Sequence, residues 1–189
     1  MRSPIGLHFI QWLALDGHRE GLRQEIFLPD YADWIECRAR FRMPYVTEPQ
    51  GHYFAFPFRL ANATPRVDVA GGVVVPGEDQ IPGCCHDYLT TQNWVDLSET
   101  GRGVTIALPE NPMVQFGGIR FGEGAEKFTM PHPWLLSWVT GNFWHCNFSA
   151  AQAVGSGPAT AFAFMGTSTQ KPLIASASKP PRTNLSRMR

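Results

Sequence analysis

The chain has 189 residues, and its 16 basic and 16 acidic side chains cancel. That length supports one domain with a sizeable core, and the neutrality excludes a global field that would draw nucleic acid or an anionic membrane. Glycine (18) and proline (16) are dense while charged residues make up only 17%, which argues against a helical bundle or a coiled coil.

The charge is uneven along the chain. Ten arginines and all sixteen acids lie at or before Glu126, a balance of −6, and six basic residues with no acid follow from Lys127, a balance of +6. No apolar run approaches the ~20 residues needed to span a bilayer. Residues 1–6 show neither a long apolar stretch nor a small-residue cleavage site. Cys37, Cys84, Cys85 and Cys146 form no CxxC pair and read as reduced, mostly buried thiols. The expectation is a cytoplasmic chain, or part of a protein whose targeting signal lies elsewhere, with neither nucleic acid nor membrane as partner.

In chain order, residues 8–15 are apolar and Asp16-Gly17-His18 reads as a turn. Residues 22–28 alternate as a strand. Residues 34–43 alternate most cleanly: Ile35, Cys37, Ala39, Phe41 and Met43 face one way, and Glu36, Arg38, Arg40 and Arg42 the other. Residues 52–60 keep the same period, but Pro57 cannot donate to a ladder, so the strand ends, bulges or sits at an edge there. Residues 71–83 read as a loop around Glu78-Asp79-Gln80. Residues 89–97, 103–108 and 113–119 are short strands, and 133–148 reads as strand, turn, strand, with a helix whose face is Trp134, Leu135, Trp138 and Val139 as the alternative. From 158 to 189 the composition turns to Ser, Thr, Pro and Ala with scattered basic residues. Such a segment buries too little apolar area to offset its ordering entropy, so a disordered tail is expected after a domain spanning 1–157. The pattern is that of an all-β antiparallel sandwich.

Chemistry-bearing clusters are sparse. His86-Asp87 and His145-Cys146 are sequence neighbours, which cannot aim two ligands at one ion from a strand, so no metal site is expected. Cys84 and Cys85 sit on a Gly/Pro-rich loop with nothing local arranged to activate them, and read as small loop fillers. Glu78 and Asp79 are adjacent carboxylates, whereas glycoside cleavage needs two opposed across a substrate. They fit hydrogen bonding to sugar hydroxyls or the capping of a turn. Trp144 is an aromatic face among hydrogen-bonding groups, Asn142, His145 and Asn147.

Four ordered segments carry a resemblance: His52-Tyr53-Phe54-Ala55-Phe56-Pro57-Phe58; Gly71-Gly72-Val73-Val74-Val75-Pro76-Gly77-Glu78-Asp79-Gln80-Ile81-Pro82-Gly83; Gln92-Asn93-Trp94-Val95-Asp96; and Ser137-Trp138-Val139 followed by Asn142-Phe143-Trp144-His145-Cys146-Asn147-Phe148. Over roughly residues 23–152 the chain resembles the C-terminal β-domain of glycoside hydrolase family 38, the zinc-dependent α-mannosidases. It departs at Gly141, where that family tends to have Asn, at Cys146 (usually Thr) and at Cys84 (usually Ser). The resemblance implies a β-sandwich that is part of the large mutarotase-like β-domain, acting in α-mannoside hydrolysis and mannose metabolism. Its partners would be carbohydrate and the catalytic domain of the same enzyme. That domain holds the nucleophile and the zinc, so no catalytic or metal residue and no cofactor is expected in this chain. The candidate substrate rim is Glu78, Asp79 and Gln80 with Asn142, Trp144, His145 and Asn147. The alternative is a stand-alone carbohydrate-binding or mutarotase-like module.

Overall fold

The computed structural model describes residues 1–120, 122, 124 and 126–142, the side chain of Arg19 excepted, together with the backbone of 159–167. The described residues form strands and no helix. The strands are β1 (Arg2–Ser3), β2 (Gly6–Leu15), β3 (His18–Pro29), β4 (Trp34–Phe41), β5 (Gly51–Pro57), β6 (Thr64–Val69) and β7 (Gly72–Val74). They continue with β8 (Leu89–Thr90), β9 (Trp94–Glu99), β10 (Arg102–Ala107), β11 (Met113–Phe116), β12 (Trp134–Gly141) and β13 (Ala159–Thr167). All pairings are antiparallel. One sheet runs β1-β2-β3-β4-β13-β10-β9-β6-β7 and a smaller one β5-β12-β11-β8.

The two sheets pack face to face. Val67, Val95, Leu97, Val104 and Ile106 from the larger sheet meet Val114, Phe116 and Leu135 from the smaller, with Leu108 closing the same cluster. Alternation along each strand puts these side chains on one face. Burying each contributes about 1.5–3 kcal/mol before entropic costs. The fold is an all-β antiparallel sandwich.

Local sequence explains most boundaries. Strand β4 buries Ala39 and Phe41, as its alternation requires, but it also buries Glu36 on the opposite face, where the carboxylate accepts from Arg38 Nε. Strand β5 stops at Pro57. The β9–β10 hairpin turns at Thr100-Gly101, where Gly101 holds φ at +84°, a conformation that favours glycine.

Three expectations need correction. Residues 71–83 are not all loop, because residues 72–74 form β7 against β6. Residues 89–97 are not one strand. The chain breaks at Thr91, whose hydroxyl donates to Trp94 O at 2.5 Å, and passes from the smaller sheet into the larger. Third, 158–189 is not uniformly a tail: Ala159–Thr167 is an interior strand between β4 and β10. That run holds no charge and no proline, a local signal diluted by the polar composition of the remaining segment. Residues 168–189 lie outside the described residues, as does the second half of the expected strand, turn, strand at 133–148.

Candidate functional site

The loop following β7 is built from its own side chains. The amides of Glu78 and Asp79 both donate to Val75 O at 3.1 Å, and the Val75 amide donates to Asp79 Oδ2 at 2.9 Å. The Gly77 amide donates to Gln80 Oε1 at 3.0 Å. These bonds close a tight Asx-type turn. Gly77 sits at φ +81°, and a Cβ there would lie 2.6 Å from Phe128 Cβ. Phe128 in turn packs on the core and meets the Phe116 ring edge-on at 6.1 Å. The loop is therefore clamped to the β11 end of the smaller sheet. Asp79 and Gln80 are committed to holding it. The Glu78 carboxylate is exposed and makes no hydrogen bond or ion pair among the described residues.

Asn142 occupies the other end of that sheet. Its Oδ1 accepts from the Gln50 amide at 2.5 Å, and its Nδ2 donates to Val46 O at 2.7 Å and to Glu48 O at 2.9 Å. Its own amide donates to Gln50 O at 3.0 Å. These bonds use both amide N–H groups and tie the 46–50 segment to the end of β12. Phe116 pairs with Leu135, near the start of β12. Seven residues separate Leu135 from Asn142, a distance of roughly 20 Å along a strand. Asn142 and the loop holding Glu78, Asp79 and Gln80 thus stand at opposite ends of the sheet and do not converge on one small ligand. Trp144, His145 and Asn147 lie outside the described residues. Asn142→Ala should lower stability by about 1–3 kcal/mol, because three side-chain hydrogen bonds to backbone groups are lost. Thermal denaturation checks this; an unchanged midpoint would show that the tether contributes nothing.

A pair of histidines that the sequence reading passed over meets beside this end of the sandwich. The His18 and His52 rings are 5.1 Å apart and nearly perpendicular. His18 Nδ1 donates to Asp16 O at 2.9 Å, and its buried Nε2 has no hydrogen-bond partner among the described residues. His52 Nδ1 lies 3.0 Å from Thr140 Oγ1, whose own hydrogen is directed at Met43 Sδ. Imidazole therefore donates to Thr140. His52 borders a cavity of about 340 Å³ walled by Leu15, Leu22, Phe41, Tyr53 and Ile119. Burial pushes the His52 imidazole below its usual range, and the nearby His18 adds to that. No motif spacing marks this pair, since the residues are 34 positions apart and meet only through the β2–β3 hairpin and β5.

The sign of the pH effect follows. With the folded value depressed, stability is fully present above the ordinary imidazole value of ~6.5 and is lost as pH falls below it, because the unfolded chain takes up the proton first. His52→Gln should flatten that acid limb in a plot of urea midpoint against pH. A limb of unchanged steepness would contradict this assignment.

Among the described residues no three His, Cys, Asp or Glu side chains gather to hold a metal ion. The class of protein defined by these observations is an antiparallel β-sandwich with two clamped loops. Neither a family model nor a curated protein matches the chain. Among solved structures it is similar to an aldose 1-epimerase-like protein of Escherichia coli K12, at 12% identity over 89% of this chain and 67% of that one, with a TM-score of 0.43. At that level of superposition the likeness decides neither fold nor function.

Proposed function

We propose that this chain is the β-domain portion of an α-mannosidase-like glycoside hydrolase, which packs beside a catalytic domain, helps wall its sugar site, and has no glycosidase activity of its own. The supporting observation is where the four resembling segments fall. Two of them supply the adjacent strands β5 and β12, in the register Phe56 to Leu135 and Phe54 to Ser137. A third forms the clamped loop, and the fourth opens β9 in the facing sheet. Segments scattered over about a hundred residues thus build one sandwich, which suits a family resemblance carried by fold-determining positions.

Retaining hydrolysis needs two carboxyl groups flanking the scissile bond about 5 Å apart. Among the described residues the His52 cavity has no carboxylate in its walls. A second cavity, of about 540 Å³ beside Trp34, Phe58 and Arg59, has Asp33 as its one carboxylate among the described residues. Purified protein with added zinc should not turn over an aryl α-mannoside above the buffer rate. Turnover abolished by a point substitution in this chain would sink the proposal. So would anomer interconversion of a free aldose catalysed by the purified chain, which instead supports the stand-alone mutarotase-like module.

A further inference from the structure

The segment after Pro82 carries chemistry that the carbohydrate reading leaves unused. Cys84 Sγ lies 3.9 Å from His86 Nε2, and His86 Nδ1 lies 3.1 Å from Gln80 Oε1. Gln80 Oε1 also accepts from the Gly77 amide, which fixes the amide oxygen on this side. The imidazole therefore carries its hydrogen on Nδ1 and turns the Nε2 lone pair toward the thiol. His86 is buried, with the Phe128 ring edge-on at 6.4 Å, so its orientation is held by packing as well as by the hydrogen bond. The neighbouring Asp87 accepts from the Gly124 amide at 3.3 Å through its Oδ2. Among the described residues Cys84, Gln80 and Phe128 contact the imidazole, and none of the three carries a fixed charge. Cys84 is half-buried and Cys85 exposed, so small solutes reach both.

This is the order nucleophile, base, orienting group. A thiol facing an imidazole lone pair can pass its proton across, and the imidazolium then stabilises the thiolate, which is the reactive form. Cys37 makes a contrast: burial, with Glu36 adding, pushes its thiol up, away from the reactive thiolate form.

We propose that Cys84 is an imidazole-activated thiol and a site of oxidation by small hydroperoxides, with His86 as its base and Gln80 positioning His86. In the step, the Cys84 proton moves to His86 Nε2 and the thiolate attacks the terminal peroxide oxygen. An S–O bond forms as the O–O bond breaks, and the departing oxygen takes the proton from His86 to leave as water or an alcohol. The sulfur is oxidised to a sulfenic acid and the peroxide is reduced. This assignment is independent of the α-mannosidase reading.

The test uses the full chain. Iodoacetamide labelling of Cys84 and Cys85 is followed by peptide mass from about pH 5.5 to 9, and hydrogen peroxide is added with dimedone present to trap sulfenic acid. At pH 6.5 Cys84 should react about tenfold or more faster than Cys85, since the His86 imidazole facing its sulfur can accept the thiol proton and stabilise the thiolate. Dimedone should fall on Cys84. His86→Gln should remove the advantage, and Gln80→Leu should move the acid limb of the Cys84 rate to higher pH. Equal rates for the two cysteines at pH 6.5 in the unaltered chain, or dimedone on Cys85 in place of Cys84, would overturn the proposal. That comparison requires no variant to fold.

Discussion

Truncation after Gly157 should unfold the larger sheet rather than trim a tail. Strand β13 pairs along eight residues with β4 and along four with β10. Without it the nine-stranded sheet splits into β1–β4 on one side and β10, β9, β6 and β7 on the other, each with a new unpaired edge. At about 0.5–1.5 kcal/mol net per lost backbone hydrogen bond, the loss rivals the whole stability of an ordinary domain, about 5–15 kcal/mol. The truncated chain should lose its cooperative urea transition and its near-ultraviolet circular dichroism. Truncation after Thr167 removes none of these pairs and serves as the control. A Gly157 truncation with an unchanged midpoint would show that β13 is dispensable.

Asp96→Ala should cost about 2–4 kcal/mol. Asp96 lies on the face of β9 opposite Val95 and Leu97, yet it is only 3% exposed. Its carboxylate accepts from Ser98 Oγ at 2.6 Å, from Thr105 Oγ1 at 3.0 Å and from Arg66 Nη1 at 3.4 Å, and Arg66 also donates to Ser98 Oγ at 2.7 Å. One residue thereby ties β6, β9 and β10 together. Its removal leaves two hydroxyls and part of a guanidinium without their acceptor in a poorly solvated site. The urea midpoint should fall at constant slope, and Asp96→Asn, which keeps one acceptor oxygen, should fall less. A change within about 0.5 kcal/mol, the range of an ordinary surface substitution, would contradict the buried-network assignment.

These two cases mark what the sequence made legible. Alternation located β4 and its inward face, and Pro57 located the end of β5, because both signals are local and steric. The strand β13 is obscured in the sequence because its nine uncharged residues adjoin a long Ser/Pro segment of different character. Asp96 stands in a segment that resembles an enzyme family, but its partners show a structural role, so motif membership alone does not mark a site. Asn142 and Asp79 carry the same lesson, since their hydrogen-bonding capacity goes into backbone turns. The pairing of His18 with His52, and the alignment of Gln80, His86 and Cys84, depend on how the hairpin and the clamped loop fold back. Neither has a spacing signature.

Glu78 is the member of the expected rim whose side chain, among the described residues, is left uncommitted, and it stands on a loop held rigidly by Asp79, Gln80 and Phe128. It is therefore the sharpest probe of the claim that this sandwich walls a sugar site. The measurement is made in a full-length α-mannosidase into which this segment has been grafted, with and without Glu78→Gln. A fall in kcat/KM with an unchanged melting temperature is the predicted result. Unaltered kcat/KM, or a lower melting temperature with activity per folded molecule intact, would contradict it.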